Sequence, residues 1–385
     1  MKVGIITLYN NNNNYGGIAQ AYALQKYVSS LGHECKVINY KRKSKTIFSA
    51  PMAKRSMLRK IGDRLYREVE KKGTRRIQKE ISKRNKAMAK FRAEMIPHTV
   101  EYVDEEVSGC SNDFDIFVSG SDQIWKPHVI RGPFVLDFVS AEKRKIAYGS
   151  SISQERLTDE YGLFMQKHLG SYAEIAVREK EASNYLSELL NREVQWVVDP
   201  VLLLEREEWD DLAAEKRYNK KYVFCYFLGD SELERSAAKG YAKKHGLTIV
   251  TMPYLQGKWR AVDYHFGDEL IYDAGLEDFL SLIKHAECIL TDSFHAVAFS
   301  YIFQKEFFVF PRIDRGSNEN MNSRVLSILE LIGEPRRLIQ KQDDMNQNTI
   351  EFNKKELSKI EEKRKISREW LKSALENGKG EKDIL

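Results

Sequence analysis

A histidine in the first turn of an apolar helix, directly after a buried strand, is placed to exchange protons with whatever occupies a cleft. His295 holds that position in "ILTDSFHAVAFSYIF" (289–303), with Asp292 and Ser293 at the cap positions and Phe294 beside it. A carboxylate close to an imidazole favours the imidazolium, the form that a general acid needs, and Asp292 is the carboxylate nearest in sequence. A lone histidine is more often packed or solvated, so its meaning depends on what else faces the same cleft. Arg312, Arg315 and Arg324 follow in "FPRIDRGSNENMNSRVLSIL", with Arg324 opening a helix. Each alone reads as a surface residue; together with Arg178 and His295 they describe an anion site.

Three further strand-to-helix junctions carry polar residues in excess of what a turn requires. "LYNNNNNYGGIAQAYALQ" (8–25) leads from an apolar strand into a helix. Gly16 and Gly17 permit close backbone approach, and amides such as Asn14, next to Tyr15, both donate and accept hydrogen bonds. The stretch is either a tolerated turn or a loop that brings a small polar ligand to a helix N-terminus. "VSGSDQIWKP" (118–127) offers Ser119, Ser121, Asp122 and Gln123 at a strand end, with Trp125 either a wall of the site or a core residue. "AVREKEA" (176–182) puts Arg178 where a strand gives way to a helix. Its planar fork suits a phosphate or carboxylate ligand; its alternative is an internal pair with Glu179 or Asp199. No GxGxxG, GxxxxGK[ST] or HExxH pattern occurs in the chain, and no metal set is expected.

These junctions need a scaffold that collects strand ends. "KVGIITL" (2–8), "ECKVINY" (34–40), "FDIFVSG" (114–120), "KIAYGSS" (145–151), "EIAVRE" (174–179) and "VQWVVDP" (194–200) are short apolar runs with helical patterns between several of them. The same alternation restarts with "KYVFCYFLGD" (221–230), "LTIVTM" (247–252), "ECILTD" (287–292) and "EFFVFP" (306–311). Strands alternating with helices predict parallel βαβ units. The expected fold is α/β, with two Rossmann-type domains facing each other across a cleft. The N-terminal one is placed at 1–205, including a basic helical segment at 54–95, and the C-terminal one at 220–340. A helix in 350–385 packs back on a domain and ends in a flexible tail. Ligands of open α/β sheets bind beyond the carboxyl ends of the strands, which is where all four junctions lie.

Composition narrows the class. At 42% hydrophobic and 31% charged, with no apolar run near the ~18 residues that span a bilayer, the 385-residue chain reads as a soluble globular protein. "MKVGIITLYN" reads as a first strand and not a leader peptide. The four cysteines, Cys35, Cys110, Cys225 and Cys288, are widely spaced, which fits a reducing, cytoplasmic setting. The net charge of +6 is uneven: residues 41–98 hold twenty Lys/Arg against five Asp/Glu, +15, leaving −9 for the rest. Within that segment Met57, Ile61, Leu65 and Val69 form one apolar stripe, continued by Ile77, Ile81, Met88, Phe91 and Met95. It is either a helical excursion over the N-terminal domain or a contact for anionic membrane, where each basic residue contributes about 1 kcal/mol. Nucleic acid is disfavoured because no aromatic interleaving or recognition motif accompanies the charge.

In order along the chain, "NNYGGIAQAYALQ", "FDIFVSGSDQIWKP", "VREKEA", "VVDPVLLL" and "LTDSFHAVAFS" resemble the polysaccharide pyruvyl transferase family over roughly residues 1–335. The resemblance implies a GT-B-like fold with its active site in the cleft, and no cofactor. It implies transfer of the carboxyethylidene group from phosphoenolpyruvate onto sugar hydroxyls, forming a pyruvate ketal and releasing phosphate. On that basis His295 is the general acid and Arg178 holds the donor. Asn14, Tyr15, Gly16, Ser121, Asp122, Gln123, Trp125, Ser293, Phe294, Arg312 and Arg324 line the donor and sugar sites. The sugar acceptor is a polysaccharide precursor, lipid-linked at the membrane face if the basic segment binds there. Two departures from the family pattern are Ser293 where some members have arginine, and Gly17 where alanine is usual. The rival readings are a GT-B glycosyltransferase using a nucleotide sugar and a non-catalytic glycan-binding member.

Overall fold

The computed structural model describes residues 1–43, 46–48, 72–153, 157–255, 260–312, 322–340 and 354–376. The first half runs β1 (Lys2–Ile6), α1 (Tyr15–Ser30), β2 (Glu34–Val37), α2 (Gln78–Met95), β3 (Ile116–Ser119), β4 (Arg144–Ser150), α3 (Asp159–Leu169), β5 (Glu174–Val177), α4 (Lys180–Leu190) and β6 (Gln195–Trp196). The second half follows as β7 (Tyr222–Tyr226), α5 (Glu232–His245), β8 (Thr248–Thr251), β9 (Glu269–Leu270), α6 (Leu276–Lys284), β10 (Cys288–Thr291), α7 (Phe294–Ile302), β11 (Glu306–Val309), α8 (Asn322–Leu331) and α9 (Lys354–Glu376). Each expected strand is present, trimmed by a residue or more at one end or both, with β4 also beginning one residue earlier than expected. β9, two residues long, was not expected; it is too short to carry a periodic pattern.

Both sheets are parallel throughout, in the orders β2-β1-β3-β4-β5-β6 and β11-β10-β7-β8-β9. Strands buried on both faces explain the unbroken apolar runs in the sequence. Each order reverses once: between β1 and β3 in the first sheet, and between β7 and β10 in the second. Helices diverge at such a reversal and leave a crevice beyond the strand ends. The fold is therefore α/β and GT-B-like, two Rossmann-type sheets whose crevices face one another.

What joins the halves is a shared core. α1 is buried on nearly all sides, from Tyr15 through Leu24, as a helix between two layers must be. Its apolar face and β1 belong to one continuous cluster with Phe224, Phe279, Val297 and Phe299 of the second half. Trp209 packs edge-on against both Tyr22, at 5.8 Å, and Phe299, at 4.9 Å. The outer faces of the two sheets carry separate cores.

The basic helix α2 is a strap. Met88 and Phe91 are buried in the shared core, but so are two of its arginines on the same side. Arg84 Nε donates to Tyr15 Oη at 2.8 Å and its Nη2 to the Asn13 carbonyl; Arg92 Nη1 donates to the Asn12 carbonyl and to Asn13 Oδ1. Part of the cationic excess therefore pins the asparagine loop. Met95 is exposed, and Met57, Ile61, Leu65 and Val69 lie outside the described residues, as does Arg315.

α9 lies against the first half. Ile360 and Leu371 are fully buried, whereas Ile366 is 40% exposed. Arg364 donates to the carbonyls of Leu202 and Leu204 at 2.7 and 2.9 Å, and Ser367 Oγ accepts from Val198 N at 3.1 Å. No described helix is long and apolar enough to cross a membrane. Removing the Arg364 guanidinium leaves buried carbonyls without donors. Arg364→Ala should thus lower unfolding free energy by about 2–4 kcal/mol in a urea titration. Lys365→Ala, which breaks only the exposed pair with Glu369, should cost under about 0.5 kcal/mol.

Candidate active site

A cavity of about 330 Å³ lies where the two crevices meet. Seven strands send residues to it from their carboxyl ends: Asn12, Asn14 and Gly16 after β1, Arg42 after β2, Asp122 and Gln123 after β3, Tyr226 and Leu228 from β7, Tyr254 after β8, Ser293, Phe294 and His295 after β10, and Arg312 after β11. Arg324 comes from the first turn of α8. The asparagine loop and His295 thus form opposing walls.

Their contact is intimate. A Cβ built on Gly16 would fall 1.9 Å from His295 Nδ1 and 2.2 Å from its Cγ. The imidazole of the second half therefore rests directly on the α1 backbone of the first, and only a residue without a side chain fits beneath it. Asn14 caps that helix, its Oδ1 accepting from Gly17 N at 3.0 Å. Gly17 makes room for a different neighbour: a Cβ there would lie 2.4 Å from Asn12 Nδ2, so the departure from alanine accommodates Asn12 in the cavity wall.

The carboxylate beside His295 is Asp199 and not Asp292. Asp199 Oδ2 stands 3.7 Å from His295 Nε2, while Asp292 is committed elsewhere. It accepts from Leu228 N at 2.7 Å, Gly229 N at 2.6 Å and Arg312 Nε at 3.1 Å. Burial also works against the expected imidazolium. Burial lowers the His295 pKa to about 4; Asp199 and Asp122 pull it up, but Arg178 and Arg324 oppose them. The partial positive charge at the N-terminus of α1, directly under the ring, acts in the same sense as the arginines. His295 is therefore neutral near pH 7. Because the unfolded chain binds this proton at an ordinary histidine pKa and the fold does not, the site withdraws stability as pH falls from about 6.5 toward 4.

Arg178 does not reach the cavity. Its Nη1 donates to Asp199 Oδ2 at 2.5 Å and its Nη2 to Asp122 Oδ1 at 3.1 Å, with Glu179 Oε1 3.6 Å from Nε. The ring of Phe294 closes over it at 5.0 Å. The internal pairing with Asp199 is thus what the structure contains, and the expectation that Arg178 holds the donor is corrected to one in which it organises carboxylates. Three other expected site residues are also set back. Tyr15 stacks on Phe279 at 4.8 Å and donates to Ala274 O at 2.9 Å, tying the two halves. Ser121 Oγ donates to Gly149 O at 2.7 Å, and Trp125 is a core residue whose Nε1 donates to Phe134 O.

The cations left to the cavity are Arg312, Arg324 and Arg42. Arg324 is 6% exposed, and burial together with Arg178 and Arg312 lowers its pKa to about 10. Gln123 faces it, its carboxamide oxygen accepting from Nη2 at 2.9 Å in the orientation that satisfies both groups. Arg324 Nε and His295 Nε2 are buried and have no hydrogen-bond partner among the described residues. From sequence Asp199 is named only as an alternative partner for Arg178, and Arg42 and Asn12 are not singled out. The Asp-Pro step that ends the "VVDP" run marked Asp199; nothing local marked Arg42, which topology alone brings to the cavity mouth. Among the described residues no group of His, Cys, Asp and Glu is arranged to hold a metal.

Comparison with known proteins bears on this arrangement. Curated proteins return no match. Among solved structures, a UDP-GlcNAc 2-epimerase from Neisseria meningitidis bound to UDP-GlcNAc is 12% identical, covering 96% of this chain and 99% of its own, at a TM-score of 0.48. The UDP-GlcNAc 2-epimerase from Methanocaldococcus jannaschii is likewise 12% identical, covering 94% and 92%, at 0.48. Likeness this distant says nothing of substrate. The model of the polysaccharide pyruvyl transferase family matches residues 14–314, a span that takes in Asn14, Gly16, Asp122, Arg178, Asp199, His295 and Arg312. The chain belongs to the polysaccharide pyruvyl transferase family.

Proposed function

We propose that the protein moves the carboxyethylidene group of phosphoenolpyruvate onto two hydroxyls of one sugar, as a pyruvate ketal, and releases phosphate. The observation that carries this reading is the cavity itself, which gathers His295, Arg42, Arg312 and Arg324 around one space. Positive charges drawn into one place repel each other, as Arg312 does Arg324, and a small anion bearing both carboxylate and phosphate would offset that repulsion. Charge-assisted hydrogen bonds of this kind orient a ligand as well as hold it.

The chemistry asks His295 to be an acid although it is neutral when the site is empty. The donor itself resolves this. Its negative charge, brought next to a desolvated imidazole that now feels Arg178 and Arg324, favours the protonated form, and Asp199 stabilises the imidazolium from the other side. His295 then protonates the methylene carbon, leaving an oxocarbenium-like centre at the carbon that bears phosphate. A sugar hydroxyl attacks, phosphate departs, and a second hydroxyl closes the ketal. Hydroxyls that are vicinal or one carbon further apart give the five- or six-membered rings that such a ketal needs.

The acceptor is a precursor of a cell-surface or secreted polysaccharide, and the setting cytoplasmic. Lys79, Lys83, Lys86 and Lys90 are exposed along α2, a cationic face suited to an anionic membrane that presents a lipid-linked acceptor.

Phosphate release from phosphoenolpyruvate, assayed with a panel of methyl hexopyranosides bearing such hydroxyl pairs, tests the reading. His295→Ala should reduce it at least about 100-fold with no change in the unfolding midpoint beyond a degree or two; near-normal turnover removes the acid. Release of a nucleotide from a sugar nucleotide instead would support the glycosyltransferase alternative. Gly16→Ala should cut turnover by a similar factor, because its Cβ claims the space of the imidazole. Gly17→Ala should be far milder, since only the end of the Asn12 side chain has to move.

A further inference from the structure

One carboxylate interrupts the basic lining of the cavity. Asp122 is the sole acidic side chain there among the described residues, in the company of Arg42, Arg312, Arg324 and His295. Two costs attach to it. Its backbone sits at φ 70° and ψ −173°, a conformation natural to glycine that an L residue holds at about 1–3 kcal/mol. Its fixed negative charge also opposes the anion that the arginines attract. A turn alone would be better served by glycine, and Arg178 already has Asp199 as a partner at shorter range. Burial would raise the Asp122 pKa, yet Arg178, with Arg324 beyond it, holds it below the ordinary value, so the group is ionised. Arg178 Nη2 fixes Oδ1, and Oδ2 lies over the first turn of α1, 3.2 Å from where a Cβ on Gly17 would be.

We infer that Asp122 is a second catalytic residue, accepting the proton of each sugar hydroxyl as it attacks; this rests on the ketal-transfer reading. The first hydroxyl oxygen bonds to the cationic carbon created when His295 protonates the methylene, its O–H bond breaks, and the proton goes to Asp122. The carbon–oxygen bond to phosphate then breaks with its electron pair on oxygen, and phosphate takes that proton, restoring the carboxylate. The second hydroxyl adds in the same way, and its proton returns His295 to the imidazolium. The two hydroxyl protons thus replace the one placed on carbon and the one that leaves with phosphate. A carboxylate of low pKa suffices, because an alcohol bonded to a cationic carbon is a far stronger acid than any carboxylic acid.

Asp122→Asn keeps a residue tolerant of positive φ and removes the base; Asp122→Gly removes the charge and the strain together. Titration calorimetry with inorganic phosphate should find both variants binding at least as tightly as wild type. Phosphate release from phosphoenolpyruvate with a responding glycoside should meanwhile fall at least about 100-fold, and added formate should restore part of it to Asp122→Gly. Turnover within about tenfold of wild type in either variant overturns the inference. So does loss of phosphate binding in both, the signature of a residue that merely steadies Arg178. A wild-type protein that binds phosphate yet consumes no phosphoenolpyruvate with any glycoside is a separate result: it rejects ketal transfer itself and this inference with it.

Discussion

The site depends on one contact, the His295 imidazole resting on the bare backbone of Gly16. Neither half of the molecule contains the cavity alone. α1 of the first half supplies the floor, α7 of the second supplies the ring, and a single methyl group at position 16 would part them. Much of the surrounding structure serves to keep the two in register. Tyr15 stacks on Phe279 and donates to the Ala274 carbonyl; Arg84 and Arg92 clasp the carbonyls of the asparagine loop from α2. The continuous core beneath them makes the junction of the halves a packed interior and not a loose seam.

Electrostatics then decide what this contact can do. Burial beside Arg178 and Arg324 holds the ring neutral, and a helix N-terminus beneath it pushes the same way. The carboxylates do not cancel this, because Asp122, Asp199 and Glu179 are arranged around Arg178. The result is a site biased against protonation until negative charge enters. That bias suits an acid meant to act on a bound anionic donor and not on water. Desolvation sharpens each of these terms, since charges in a low-dielectric pocket interact far more strongly than in solvent.

Much of this was legible in the residues. Apolar strands alternating with amphipathic helices disclosed two parallel sheets, and three of the four junctions picked out beyond strand ends line the cavity. Gly16 and Gly17 were legible as points of close approach, though not what approached them, because the partner lies almost 280 positions away in sequence. Side-chain direction was the weak link. Tyr15, Ser121, Trp125 and Arg178 stand at the expected junctions but turn inward, and a strand-end position does not say whether a polar group faces a ligand or a neighbouring carboxylate. Arg42, and the place of Asp199 beside His295, were not legible for the complementary reason: their partners are set by topology. The cationic segment was read as a surface feature, whereas two of its arginines hold up the floor of the site; charge counted along a chain carries no information about which side of a helix it occupies.

The most direct measurement is the titration of His295 itself, by NMR of protein labelled at histidine, with and without saturating inorganic phosphate. The account predicts a ring that stays neutral down to about pH 4 in the free protein and gains its proton at a pH at least about one unit higher once the anion is bound. An imidazole that titrates at an ordinary histidine pKa, or that ignores phosphate, would contradict it.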